Sequence, residues 1–127
     1  MGRAGERGHV VSDQMSGQGP PDGGLEVVIE PSRDLGGTRV IAVSGEADLS
    51  SCEPLRQALD EVIGGGANRV ELDFTHLDFI DSTGIGVLVA ALKRMQAKGG
   101  EIALRSPGAS VRRVLDITGL GSLFLFV

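Results

Sequence analysis

Cysteine and large aromatic residues are scarce in this chain. Its 127 residues include one cysteine, Cys52, and four phenylalanines, but no tryptophan or tyrosine. A single cysteine excludes an intramolecular disulfide, so we expect folding around a hydrophobic core in a reducing compartment, the cytoplasm. A stacking site for bases or sugars would have to use the phenylalanines. These are Phe74, Phe79, Phe124 and Phe126. We assign the three in strand-like runs, Phe74, Phe124 and Phe126, to the core, because aromatic residues in strands usually pack inward.

The sequence also lacks long apolar runs and an excess of positive charge. No stretch approaches the roughly 20 apolar residues that span a bilayer, and no apolar segment resembling a secretion signal follows the first basic residues. The net charge is -5, and the basic residues cluster no further than pairs such as Arg112 and Arg113. We therefore expect a soluble protein that binds neither membranes nor nucleic acids.

The chain divides into a tail and one folded domain. Residues 1–24 are rich in glycine and polar residues and show no apolar periodicity, which predicts a disordered tail. Residues 25–127 alternate between strand-like and helix-like patterns and have the length of a single domain.

The predicted elements of this domain follow the order ββαβαβαβ. Strands are predicted over residues 25–30, 38–44, 70–74, 101–105 and 123–127. Helices are predicted over residues 55–63, from the segment 80–84 to the stop at Gly99–Gly100, and over 107–117. Strands that alternate with helices after an initial hairpin indicate an α/β fold, with helices packed on a single mixed, mostly parallel sheet.

Four short motifs, in this order along the chain, resemble the STAS-domain family of anti-sigma factor antagonists. Residues 79–86, FIDSTGIG, are similar to the phosphorylation loop of that family, and residues 45–49, GEADL, resemble its G-E-x-D element. Gly99–Gly100 before a strand and residues 110–115 before Gly119 also fit the family pattern. One departure is Ala47, which stands where a larger apolar residue is usual.

The resemblance implies a phosphorylation switch and no enzymatic activity. In family members with this motif, the serine after the aspartate, here Ser82, is phosphorylated by a partner that is both a serine kinase and an anti-sigma factor. The unphosphorylated protein binds that partner and frees the sigma factor, the phosphorylated form releases it, and a phosphatase resets the cycle. We expect a monomeric regulator of a stress or sporulation response, without cofactor, metal or catalytic residues. The resemblance assigns partner binding to Asp48, Asp81, Ser82, Thr83, Gly84, Ile85 and Gly86.

The residue types suit such a switch. A serine at a helix start lies in an exposed loop, and the backbone amides and the dipole of the helix can hold a phosphate there. The added charge next to Asp81 and near Asp48 would weaken a partner interface without refolding. Gly84 and Gly86 lack side chains, which lets the helix start pack close to the sheet and lets another backbone approach it.

Two other interpretations remain open at this point. The chain could be a STAS scaffold or a transporter-accessory module that binds partners without a phosphorylation cycle, with Ser82 acting only as a helix cap. It could also be an enzyme or a nucleotide-binding protein that uses Ser82 and aspartates such as Asp116. Against this, there is no Walker motif or G-x-G-x-x-G, and His9 and His76 are poorly placed to act as a base.

Overall fold

The computed structural model describes residues 9–11, 24–31 and 37–127. Its strands are β1 (His9–Val11), β2 (Leu25–Ile29), β3 (Thr38–Ala47), β4 (Arg69–Ile80), β5 (Glu101–Arg105) and β6 (Leu125–Phe126). Its helices are α1 (Glu53–Gly64), α2 (Ser82–Ala97), α3 (Ala109–Ile117) and a short 3₁₀ helix, Leu120–Leu123. Within this described part, no helix is both long and apolar enough to cross a membrane.

The strands form one sheet in the order in which they occur along the chain. β1 pairs antiparallel with β2, and β2 pairs antiparallel with β3. The neighbouring pairs from β3 to β6 are all parallel, and α1, α2 and α3 provide the connections between them. The predicted mixed, mostly parallel α/β fold is therefore confirmed, with one more antiparallel pair than expected.

One face of the sheet carries the hydrophobic core. Ile41 pairs with Leu72, and Leu72 pairs with Leu104, so these side chains line up on the same face of three parallel strands. All three are essentially inaccessible, and buried residues of the helices join them in one cluster: Leu55, Leu59, Leu88, Met95 and Leu115. Each such side chain contributes about 1.5–3 kcal/mol to folding relative to exposure. This packing fixes where each helix begins, and hence the site described below.

The segment before residue 25 contains a strand that the sequence pattern did not predict. β1 pairs His9 with Ile29 and Val11 with Val27, along the edge of β2. The expected disorder is wrong for these residues, because the free backbone groups of an edge strand can pair with any short extended segment. The rest of the predicted tail up to residue 23 lies outside the described residues.

Candidate functional site

Two loops meet at the carboxyl ends of β3 and β4. Ala47 and Ile80, the last residues of these strands, are paired, and the Asp81 backbone N–H donates to the Ala47 carbonyl oxygen at 3.0 Å. The GEADL and FIDSTGIG motifs are separated in the sequence by α1 and most of β4, but they lie side by side in the structure. The carboxyl ends of parallel strands are also where α/β proteins usually bind their ligands.

Asp81 caps the start of α2. Its backbone is extended, and its Oδ1 accepts hydrogen bonds from the Thr83 N–H at 2.9 Å and the Gly84 N–H at 3.1 Å. The Ile85 N–H donates to the Asp81 carbonyl oxygen at 2.9 Å and closes the first helical turn. Asp81 is therefore the N-cap of α2, and Ser82 is the first residue of the helix.

Ser82 is the first residue of α2, and it is exposed. Two of the amides that were expected to hold a phosphate are already bound by Asp81, so a phosphoryl group on Ser82 would project toward solvent or a partner. The two segments that build this edge, 44–53 and 74–86, contain no lysine or arginine. The same two segments carry five carboxylates: Glu46, Asp48, Glu53, Asp78 and Asp81.

Asp48 organises the loop between β3 and α1. Its Oδ1 accepts from the Ser50 N–H and hydroxyl, both at 3.0 Å, and lies 2.9 Å from the Ser51 hydroxyl. The nearly buried Ser51 Oγ also accepts from the Asp48 N–H at 3.0 Å and lies 2.5 Å from the Glu46 carbonyl oxygen. The hydrogen bonds from Ser51 and Ser50 stabilise the carboxylate and hold the pKa of Asp48 below its usual value. Residues 48–51 have the composition of a cap-type cluster before a helix, because serines that follow an aspartate are a known turn signal.

Two large apolar side chains are exposed at this edge. Leu49 lies in the hydrogen-bonded turn of residues 48–52, here called the Asp48 turn, and is 81% exposed. Phe79 is 46% exposed. The next residue, Ile80, is buried and pairs with Ala47, so Phe79 points to the other face of β4. The pairing of β4 with β5 ends at Asp73, so β5 does not extend alongside Phe79. Phe74 and Phe124 are buried as predicted, and Phe126 is half-buried with the Arg112 guanidinium 4.0 Å from its ring centroid.

The residues that were predicted to bind a partner separate into an accessible and a buried group. Thr83 and Gly86 are at least partly exposed on the same turns of α2 as Ser82. Gly84 and Ile85 are buried against the sheet, and a Cβ on Gly84 would lie 3.0 Å from the Ala47 carbonyl oxygen. Any role of Gly84 and Ile85 in binding would therefore be indirect, through the seating of α2.

Cys52 lies beneath this edge, directly before α1. Its side chain is 6% exposed. Burial raises the pKa of the Cys52 thiol, and the negative charge of Asp81 raises it further. The residue is therefore part of the packing below the site and is a poor nucleophile at neutral pH.

The other residues considered for chemistry are dispersed. Asp116 pairs with Arg112 at 3.5 Å along α3, and His76 is exposed on β4. In residues 9–11, 24–31 and 37–127, no three histidine, cysteine or acidic side chains converge as metal ligands. The candidate functional site is therefore the exposed Ser82, at the acidic edge that residues 44–53 and 74–86 form.

Comparison with known proteins agrees with this geometry. Residues 33–126 match the family model described as "Mlab, STAS domain". The chain belongs to the STAS-domain family. This STAS chain is 33% identical over 97 residues to the anti-sigma F factor antagonist of Paenibacillus polymyxa, covering 76% of this chain and 80% of that protein. Within the family it therefore belongs to the anti-sigma factor antagonists, which are regulatory binding proteins.

Two solved structures of one protein are informative about the site. The unphosphorylated form of the anti-sigma factor antagonist SpoIIAA superposes with a TM-score of 0.65 at 28% identity, covering 78% of this chain and 87% of that one. The phosphorylated form of SpoIIAA from Bacillus gives 0.61 at 27% identity, covering 78% and 90%. A protein of this fold thus exists in both states, with the same overall architecture in each.

Proposed function

We propose that this STAS protein binds an anti-sigma factor that is also a serine kinase, thereby freeing a sigma factor, and that phosphorylation of Ser82 switches this binding off. The observation that carries the proposal is the position of Ser82, exposed as the first residue of α2 and directly after its cap, Asp81. The names of the relatives and the two states of SpoIIAA support the same function.

The switch works by local electrostatics. A serine kinase places the substrate hydroxyl in line with the γ-phosphate of ATP, so a phosphorylated Ser82 would face the phosphates of the bound nucleotide. The phosphoryl group carries about -1.5 to -2 charges at neutral pH. Neither segment of this edge offers a lysine or arginine to neutralise it. Since each 1.4 kcal/mol changes an affinity about tenfold, a few unfavourable contacts separate the two states without refolding.

The remaining parts of the cycle follow from this assignment. The protein acts in the cytoplasm as a monomeric regulator of a stress or sporulation response and performs no catalysis of its own. A phosphatase removes the phosphate from Ser82 and restores binding. The hydroxyl is accessible for both reactions because it projects from an exposed helix start.

The proposal is tested by mapping the phosphorylated residue. The full chain is incubated with Mg-ATP and, one at a time, the anti-sigma factors of its own organism that have an ATP-binding kinase domain. We expect intact-mass and peptide mass spectrometry to show a single phosphate that disappears in Ser82→Ala and persists in Thr83→Val. A phosphate that remains in Ser82→Ala would contradict the assignment. Binding without any phosphorylation would favour the STAS scaffold or transporter-accessory module instead.

A further inference from the structure

Two exposed apolar residues, Leu49 and Phe79, belong to the two segments that build the acidic edge of Ser82. Phe79 lies two residues before Asp81. Leu49 lies two residues after Ala47, whose carbonyl oxygen is 3.0 Å from the Asp81 nitrogen. Two residues of chain span at most about 7 Å, so the backbones of Leu49 and Phe79 both lie close to the start of α2. Leu49 and Phe79 are 81% and 46% exposed, although burying either residue type would contribute about 1.5–3 kcal/mol.

The exposure of Leu49 is built into the Asp48 turn. Asp48 Oδ1 binds Ser50 and lies within hydrogen-bonding distance of the Ser51 hydroxyl, and the Asp48 carbonyl oxygen accepts from the Ser51 and Cys52 N–H groups at 3.1 and 3.0 Å. The residues on both sides of Leu49 are therefore held by hydrogen bonds, and the leucine projects from a fixed backbone. Because the loop backbone is already ordered, little backbone entropy is lost when a partner covers the leucine.

The exposure of Phe79 follows from the sheet. Phe79 pairs with Glu46 in the ladder between β3 and β4, while Leu77 and Ile80 on either side are buried. β5 has already ended at Arg105, opposite Asp73, so it does not extend alongside this part of β4. Phe79 is thus also presented from a paired backbone, and not from a loose loop.

We propose that Leu49 and Phe79 are the apolar anchors with which this edge binds the anti-sigma factor, and that Asp48 is a positioning residue for Leu49. This inference rests on the proposed function. Interface hot spots are typically a few apolar or aromatic side chains, surrounded by contacts that contribute less energy. The acidic surroundings, without lysine or arginine in either segment, fit a partner surface with an apolar pocket bordered by positive charge.

The anchors are tested by substitution in the full chain. Leu49→Ser and Phe79→Ser are compared with Ile117→Ser. Ile117 is also a large apolar residue, is 75% exposed, and is the last residue of α3, outside the two segments of the acidic edge. Dissociation constants are measured by calorimetry with the anti-sigma factor found in the phosphorylation assay. We expect each anchor variant to weaken binding about tenfold or more, while Ile117→Ser stays within about threefold of wild type. Melting temperatures should remain close to that of the wild type.

The positioning role of Asp48 is tested by a double-mutant cycle. If Asp48 acts through Leu49, Asp48→Ala weakens binding in the wild type but adds little to Leu49→Ser, and Asp48→Asn, which keeps an acceptor oxygen, restores much of the affinity. Additive losses from Asp48→Ala and Leu49→Ser would overturn this role.

The outcomes separate the anchors from the switch. If Ser82→Glu abolishes binding while both anchor variants bind like the wild type, the anchors are wrong and the proposed function stands. If the wild type binds none of the anti-sigma factors, the proposed function fails, and the anchors fail with it.

Discussion

Two glycines in the first turns of α2 allow a direct test of how the helix is seated. A Cβ on Gly84 would lie 2.6 Å from Ile80 Cγ1, 3.0 Å from the Ala47 carbonyl oxygen and 3.2 Å from the Ala47 Cβ. A Cβ on Gly86 would meet nothing within 4 Å. Gly84→Ala and Gly86→Ala therefore make the same chemical change two residues apart, one against the sheet and one toward solvent.

The two substitutions should change stability in opposite directions. Replacing a helical glycine with alanine stabilises a helix by about 0.5–1 kcal/mol, and Gly86→Ala should gain about this amount. Gly84→Ala also overpacks the contact with Ala47 and Ile80, which costs about 1–3 kcal/mol. Because the crowded atoms include backbone and a Cβ, they cannot move aside without shifting β3 or α2. We expect a net loss of about 1–2 kcal/mol for Gly84→Ala.

Equilibrium unfolding in urea measures this difference. The free energies of unfolding of wild type, Gly84→Ala and Gly86→Ala are compared by circular dichroism, at equal slopes of the transition. Gly84→Ala should unfold at lower urea than wild type, and Gly86→Ala at equal or higher urea. If Gly84→Ala were as stable as Gly86→Ala, the close seating of α2 on Ala47 would be refuted.

Three further predictions concern single side chains of the site. Asp81→Ala should destabilise the fold by about 0.5–2 kcal/mol in urea because two amides lose their acceptor, and Asp81→Asn should retain most of this stability; unchanged stability of Asp81→Ala would contradict the cap. Cys52 should react slowly with a thiol reagent in the native protein at neutral pH and rapidly after unfolding, because its pKa is raised by burial and by Asp81; rapid native reaction would contradict this. The Asp48 carboxyl should titrate by NMR below its usual 3.8, and Ser51→Ala should raise that value. A lowered pKa means that the contribution of the Asp48 turn to stability is present above the usual pKa and is lost only as the pH falls through the lower native value. A normal titration of Asp48 would contradict the hydrogen-bonded turn.

Much of the fold was predictable because the alternation of strands and helices is clear in this chain. β5 was predicted with the observed bounds, Glu101–Arg105. β4 was predicted to end at Phe74 but runs to Ile80. In this part of the strand its register with β3 shifts, at Ala42/Ser44 and at Gly45/Glu46. Such irregularities break the two-residue alternation on which strand prediction depends. β1 was missed because three residues provide too short a pattern.

The site was predictable where local chemistry determines it and not where tertiary packing does. The motif around Ser82 predicted a capped helix start, and the structure has one with Asp81 as the cap. The juxtaposition of the Asp48 turn with Asp81 depends on the pairing of β3 with β4, which no local pattern shows. The exposure of Phe79 depends on where β5 ends. The sequence signal for it is the apolar residue next to it, Ile80, because neighbouring residues of a strand face opposite sides of the sheet.

The most direct test of the central claim compares two forms of one protein. Wild-type chain is purified unphosphorylated and enzymatically phosphorylated at Ser82, and the affinity of each for the anti-sigma factor is measured in the presence of a non-hydrolysable ATP analogue. We predict that phosphorylation weakens binding about a hundredfold or more, equivalent to about 2.7 kcal/mol, with unchanged circular dichroism. Equal affinities of the two forms would contradict a switch at Ser82.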